Sequence, residues 1–125
     1  MKENQISYLI RGAIFKVYNT LGPGLFESVY AAALAYELRK EGLDVKREVN
    51  VPVIYNQIDS EVGFRIDLLV EDKVIIEIKS VEDIAKVHHK QILTYLKLTG
   101  LKLGILVNFN VSEIQKGIFR KVNNL

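Results

Sequence analysis

Three charged residues interrupt runs of apolar β-formers and are the first candidates for chemistry. Asp67 stands in "VGFRIDLLV", residues 62–70. Glu77 and Lys79 stand in "KVIIEIKS", residues 73–80. Ionised side chains in a buried strand cost several kcal/mol or more unless they are paired or bind something. If residues 71–73 form a tight loop, Val70 faces Val74 and Asp67 lies opposite Glu77. Lys79, two residues on, shares their face. Phe64, Ile66, Leu68 and Val70 then share the other, apolar face with Val74, Ile76 and Ile78. A one-residue slip would separate the two carboxylates. Two opposed carboxylates repel, so something positive is expected between them. One solution is a charge network in which Arg65, opposite Lys79, pairs diagonally with the carboxylates. The other is a hard divalent cation, which takes carboxylates, waters and substrate phosphates as oxygen ligands. A lysine beside such a cation can orient a water or steady phosphate charge.

Two further groups bear on that face. His88, Gln91 and Tyr95 recur at three and four residues, so they share one side of a helix that could cover the cluster. For His88 and Gln91 a half-exposed polar flank is the plainer explanation, and the His88–His89 pair alone is a weak metal signal. Glu27 follows the turn "LGPG", 21–24, and falls in the first turn of a helix. A carboxylate there stabilises the helix dipole by about 0.3–1 kcal/mol whatever else it does.

The elements that must position these residues follow from hydrophobic periodicity. Ile6, Leu9, Ile10, Ala13, Ile14 and Val17 predict an amphipathic helix over 4–20. A second helix fits 26–41, with Gly42 as its cap. "VKREVNVPVIY", 45–55, alternates Val45, Arg47, Val49, Val51, Val53 and Tyr55 on one face of a strand, and Pro52 marks an edge or a bulge. "NQIDSE", 56–61, reads as a turn. Strands follow at 62–70 and 73–80, a helix at 84–98 and a buried strand at 102–110; the tail is compatible with a helix. The order ααβββαβ is a mixed α/β domain, and the last strand can run parallel to a member of the hairpin sheet.

The 125 residues fit one domain, 1–125, with a single core. The chain is 49% hydrophobic and 26% charged, which suits a soluble globular protein. No 18-residue apolar run predicts a membrane span, and "MKENQISYLI" does not read as a signal peptide. The absence of cysteine excludes disulfides, thiolate zinc sites and cysteine nucleophiles, and is compatible with the expected cytoplasmic setting. A net charge of +2 says little about nucleic acid, because a local basic face would not show in the total.

Taken together, the motifs resemble a known pattern. "GLFESVY", 24–30, matches the Gly-x-x-Glu-x-x-Tyr signature of the GxxExxY protein family, within the PD-(D/E)XK nuclease superfamily. Asp67 followed by "EIK", 77–79, resembles the superfamily motif, and "QILTY", 91–95, resembles the Gln-x-x-x-Tyr element of RecB-like members. Ile66 replaces the Pro of the superfamily's name, a Pro that is often absent. The resemblance implies a restriction-endonuclease-like αβββαβ core with a mixed central sheet flanked by helices. It implies that Asp67 and Glu77 bind Mg²⁺ or Mn²⁺, with the Ile78 carbonyl and Glu27 as further ligands. It implies that Lys79 acts on the attacking water, and that Gln91 and Tyr95 support the site or the substrate phosphate.

The expected function is therefore metal-dependent phosphodiester hydrolysis of nucleic acid, DNA ahead of RNA. Arg65, Lys73 and His88 are candidate phosphate contacts. The competing expectation is a nucleic-acid- or partner-binding module that keeps the fold without turnover. So short a domain has little room for a target-recognition unit, so a homodimer or a protein partner is expected to supply one.

Overall fold

A computed structural model describes residues 1–125, with side chains for all but 59–61. Two helices come first, α1 (Glu3–Leu21) and α2 (Glu27–Lys40). Strands β1 (Val45–Tyr55), β2 (Ile58–Val70) and β3 (Val74–Lys79) follow. Then come α3 (Lys86–Thr99), β4 (Leu103–Asn108), a 3₁₀ turn at Ile114–Gly117, and β5 (Ile118–Val122). The five strands form one sheet in the order β1-β2-β3-β4-β5. All neighbours are antiparallel except β3 and β4, which run parallel with α3 as the crossover between them. This is the mixed, helix-flanked α/β sheet of a restriction-endonuclease-like fold.

Each face of the sheet buries its own apolar layer. Ile6, Ile10 and Ile14 of α1 and Tyr30, Leu34 and Leu38 of α2 pack on Leu68, Val70, Val74, Ile76 and Ile78. Ile92 and Leu96 of α3 pack on Ile66, Ile75 and Leu106. On this side Gly104 lets α3 approach β4 closely, since a Cβ there would stand 2.9 Å from Ile92. Gly42, at φ +83, ends α2 in the left-handed conformation that glycine tolerates, and Leu43 donates back to Leu38.

The sequence expectation fails at both ends of the sheet. The tail is not helical beyond its single 3₁₀ turn: Ile118–Val122 pair with β4 as an edge strand. Its half-buried Phe119 covers the α3 layer, and that packing outweighs a weak local preference. The β1–β2 turn is also shorter than 56–61. Asn56 and Gln57, at φ +49 and +64, make a two-residue turn, and β2 starts at Ile58. Positive φ at both central residues matches the twist of the flanking strands. Pro52 sits in the edge strand β1, where the register shifts, as its missing N–H requires.

The loop before β3 is as short as expected, and Val70 pairs with Val74. The apolar faces nevertheless divide differently. Leu68 and Val70 pack under α1 and α2, but Phe64 and Ile66 pack under α3. Likewise Val45 belongs to the first layer, and Val49 and Val51 to the second. Both strands therefore change face between Arg47↔Leu68 and Val49↔Ile66, where Glu48 and Asp67 lie, while their mutual register is unchanged. Glu48 sits at φ +52, outside the extended region, which turns β1 over locally.

Ile76 is fully buried at the centre of the first layer. Ile76→Ala is expected to cost about 2–5 kcal/mol in urea unfolding, because the cavity left in a close-packed layer adds to the lost transfer energy.

Candidate active site

The site forms where β2 and β3 part. Their pairing runs Val70↔Val74, Leu69↔Ile75 and Leu68↔Ile76, and goes no further. Beyond it the Asp67 carboxylate accepts the Ile78 amide N–H at 2.8 Å. Glu77 in turn accepts the Asp67 amide N–H, weakly, at 3.4 Å. The two carboxylates thus take up strand donors left at the parting of the ladder, and they meet across the gap.

Asp67 and Glu77 are reached from different sides. Asp67 lines a cleft of about 190 Å³ on the α2 side, together with Glu27, Arg47, Glu48, Arg65 and Ile78. Glu77 follows Ile75 in alternation and pairs with Leu106, which places it toward α3. There the half-buried Tyr95 stacks on Phe64 at 4.0 Å. The expectation that Asp67 shares one strand face with Glu77 and Lys79 is corrected by the change of face at Asp67: its carboxylate turns to the α2 side and meets Glu77 only across the strand gap.

Electrostatics at the gap are unbalanced. Glu77 is only 7% exposed. Burial, and then the neighbouring Asp67 charge, push its carboxyl up to about 8, against an ordinary 4.5; Lys79 offsets this only in small part. The Tyr95 phenol is raised too, by burial and by the same two carboxylates, so it stays a hydrogen-bond donor. Of the two solutions left open by the sequence, the charge network of Arg65 and Lys79 with the carboxylates is not formed among the described residues. Among the described residues the ion pairs are Lys16–Glu37, Lys46–Asp72 and Lys116–Glu113, all away from the gap. A carboxylate pair of one buried and one half-buried member, with no cationic side chain in contact among the described residues, is a donor set that suits a hard divalent cation. Among the described residues no three Asp, Glu or His groups already stand together as a metal cluster. Glu27 lines the cleft beside Asp67 but is not gathered with Glu77.

The supporting framework is tied down by hydrogen bonds. The buried Tyr30 hydroxyl donates to the Gly22 carbonyl at 2.6 Å and accepts the Leu25 N–H at 3.2 Å, and its ring stacks on Phe109 at 4.3 Å. That fixes the turn from which α2, and Glu27 with it, begins. Ser80 donates to the Leu25 carbonyl at 2.6 Å, linking the end of β3 to the same turn. The buried Asn108 side chain brackets Val81 through both its amide atoms. The expected residues of α3 are less well placed. Gln91 is exposed. His88 accepts the Ala85 N–H at 3.0 Å through Nδ1 and so caps its own helix. Lys73, at the far end of β3, donates to the Met1 carbonyl. Arg47 and Glu48, not singled out from the sequence, line the cleft; the unbroken alternation of valines around them hides the change of face.

The raised Glu77 carboxyl fixes a pH dependence. Between 4.5 and about 8 the folded protein keeps a proton on Glu77 that the unfolded chain gives up. Stability of the metal-free protein therefore falls as pH rises through that window. Glu77→Gln is expected to flatten that fall and to raise the urea midpoint at pH 8, with little effect at pH 4.5.

Comparison with known proteins places the chain in a family. No curated protein and no solved structure matches the chain. A family model described as the PD-(D/E)XK nuclease superfamily matches residues 4–121, from the first turn of α1 to the end of the sheet. The chain belongs to the PD-(D/E)XK nuclease superfamily.

Proposed function

We propose that this protein is a Mg²⁺- or Mn²⁺-dependent nuclease that hydrolyses phosphodiester bonds, with DNA the preferred substrate. The observation that carries the reading is the Asp67–Glu77 contact: two acidic side chains, one buried, with no cationic side chain in contact among the described residues. Gly24, Glu27 and Tyr30 further support membership of the GxxExxY family.

In this reading Asp67 and Glu77 hold the cation, with the Ile78 carbonyl and Glu27 as additional ligands. When bound, the cation polarises the scissile phosphate and lowers the pKa of a water. As a ligand Glu77 would be the carboxylate, so its proton would leave on cation binding. Lys79 hydrogen-bonds the attacking water, holds it in line and offsets negative charge developing on the phosphate. The protonated Tyr95 donates a hydrogen bond on the α3 side of the gap. Arg65 contacts a backbone phosphate from the cleft, which adds affinity without sequence information. Gln91 is available to substrate on the exposed face of α3, and His88 only through Nε2. A homodimer or a protein partner supplies target selection. We place the reaction in the cytoplasm; no helix among the described residues is long and apolar enough to cross a membrane.

One observation favours a second reading, a nucleic-acid- or partner-binding module without turnover: among the described residues the carboxylates are not gathered into a cluster of three. Two measurements separate the readings. With Mg²⁺ or Mn²⁺ and labelled DNA and RNA, the wild-type protein is expected to cleave. Glu77→Ala and Lys79→Ala are each expected to lose about 100-fold or more. Cleavage that persists unchanged in both variants belongs to a contaminant or another site. By calorimetry, Mn²⁺ binding is expected in the wild type and weaker in Asp67→Asn. Wild-type protein that binds DNA but neither Mn²⁺ nor Mg²⁺ is the binding module.

A further inference from the structure

The change of face in β1 and β2 brings together residues that simple alternation would keep apart. Arg47 precedes it and follows the parity of Val45, which puts it on the α2 side of the sheet. Arg65 lies on the other side of the change. Its neighbours Phe64 and Ile66 pack under α3, so Arg65 itself turns to the α2 side. In unbroken strands Phe64 and Ile66 would follow Leu68 and Val70 under α2, and Arg65 and Asp67 would turn toward α3. In the structure Arg47, Arg65 and Asp67 all line one cleft, with Glu27 and Glu48.

Both arginines are exposed. Among the described residues, neither forms an ion pair with the carboxylates that share the cleft. Two unengaged guanidinium groups on adjacent strands, with Asp67 between them along β2, suit an extended polyanion better than a single small anion. Each presents a planar fork of donors that matches phosphate.

We propose that Arg47, together with Arg65, grips the nucleic-acid backbone on the α2 side of the gap, Arg47 holding a phosphate on one side of Asp67 and Arg65 a phosphate on the other. This rests on the nuclease reading for the identity of the substrate, but it concerns binding and not hydrolysis. The substrate therefore runs along the cleft between α2 and the β1–β2 pair, and Arg47 is a substrate-binding residue. Glu48, the left-handed residue beside it, marks where the strand turns over.

The test is fluorescence anisotropy with a labelled DNA duplex and a labelled single strand, in EDTA, from 50 to 200 mM salt. Each arginine that meets a phosphate contributes about one unit to the slope of log affinity against log salt. Arg47→Ala is expected to bind about tenfold more weakly at 50 mM salt, with the slope reduced by about one. The Arg47→Ala, Arg65→Ala double variant is expected to lose about two. Arg47→Lys is expected to keep the slope, because the charge remains. Asp67→Asn is expected to bind at least as well as wild type while losing metal-dependent cleavage. Wild-type affinity and slope in Arg47→Ala, with its unfolding midpoint unchanged, overturn the inference and leave the nuclease reading standing. Should Arg47→Ala be destabilised, Arg47→Gln keeps the aliphatic stem and a polar end without the charge, and an unchanged slope in that variant also overturns the inference. Arg47-dependent binding without cleavage in any metal upholds the grip and sinks the nuclease reading. A wild-type protein that binds neither strand form sinks both.

Discussion

The structure turns on two carboxylates that meet where two strands part. A regular antiparallel pair would carry its backbone bonds past Leu68 and Ile76. Here the Asp67 side chain takes the Ile78 N–H, and Glu77 reaches back to the Asp67 N–H. Each carboxylate does what a strand carbonyl would have done, so the gap is held open without leaving these donors unmet. The cost is electrostatic: a buried acid beside another acid keeps its proton to about pH 8. In the proposed reading a cation relieves that crowding, and residues elsewhere hold the gap in place. Tyr30 and Ser80 fasten the turn before α2, Asn108 brackets the chain after β3, and two apolar layers grip the sheet from both sides.

The same irregularity organises the cleft. Glu48 and Asp67 lie in neighbouring strands at the point where both reverse their faces. Because both reverse together, register is conserved and the sheet continues. The reversal lets one strand pair serve the α1–α2 layer at one end and the α3 layer at the other. It also turns Arg65 and Asp67 to the side already occupied by Arg47. Backbone strain at Glu48 and charge crowding at Asp67 are therefore features of one place, and that coincidence is what the proposed function explains.

Much of this was legible in the sequence. Periodicity placed the three helices and the first four strands to within a few residues, and loop length set the β2–β3 register that brings Asp67 near Glu77. The superfamily motif on those strands pointed to the right family. What stayed hidden has physical causes. Val45, Val49 and Val51 have the same parity, and so do Phe64, Ile66, Leu68 and Val70. Both faces of the sheet are apolar, so a reversal changes nothing in the pattern. β5 was lost because Phe119 finds its place only against α3. The capping role of His88 needs only its own helix turn, which a site-centred reading passes over. The framework role of Tyr30 depends on a carbonyl in the preceding turn, which no spacing announces.

Proton release on metal binding probes the carboxylate pair most directly. Titrating Mn²⁺ into the metal-free protein in buffers of different ionisation enthalpy counts the protons lost per cation. Between pH 6 and 7 close to one proton should leave on binding, the one Glu77 holds, and the number should fall toward zero by pH 9 and vanish in Glu77→Gln. Binding with no proton released at pH 6.5, or with the same release in Glu77→Gln, would contradict the assignment of the Asp67–Glu77 pair as the metal site.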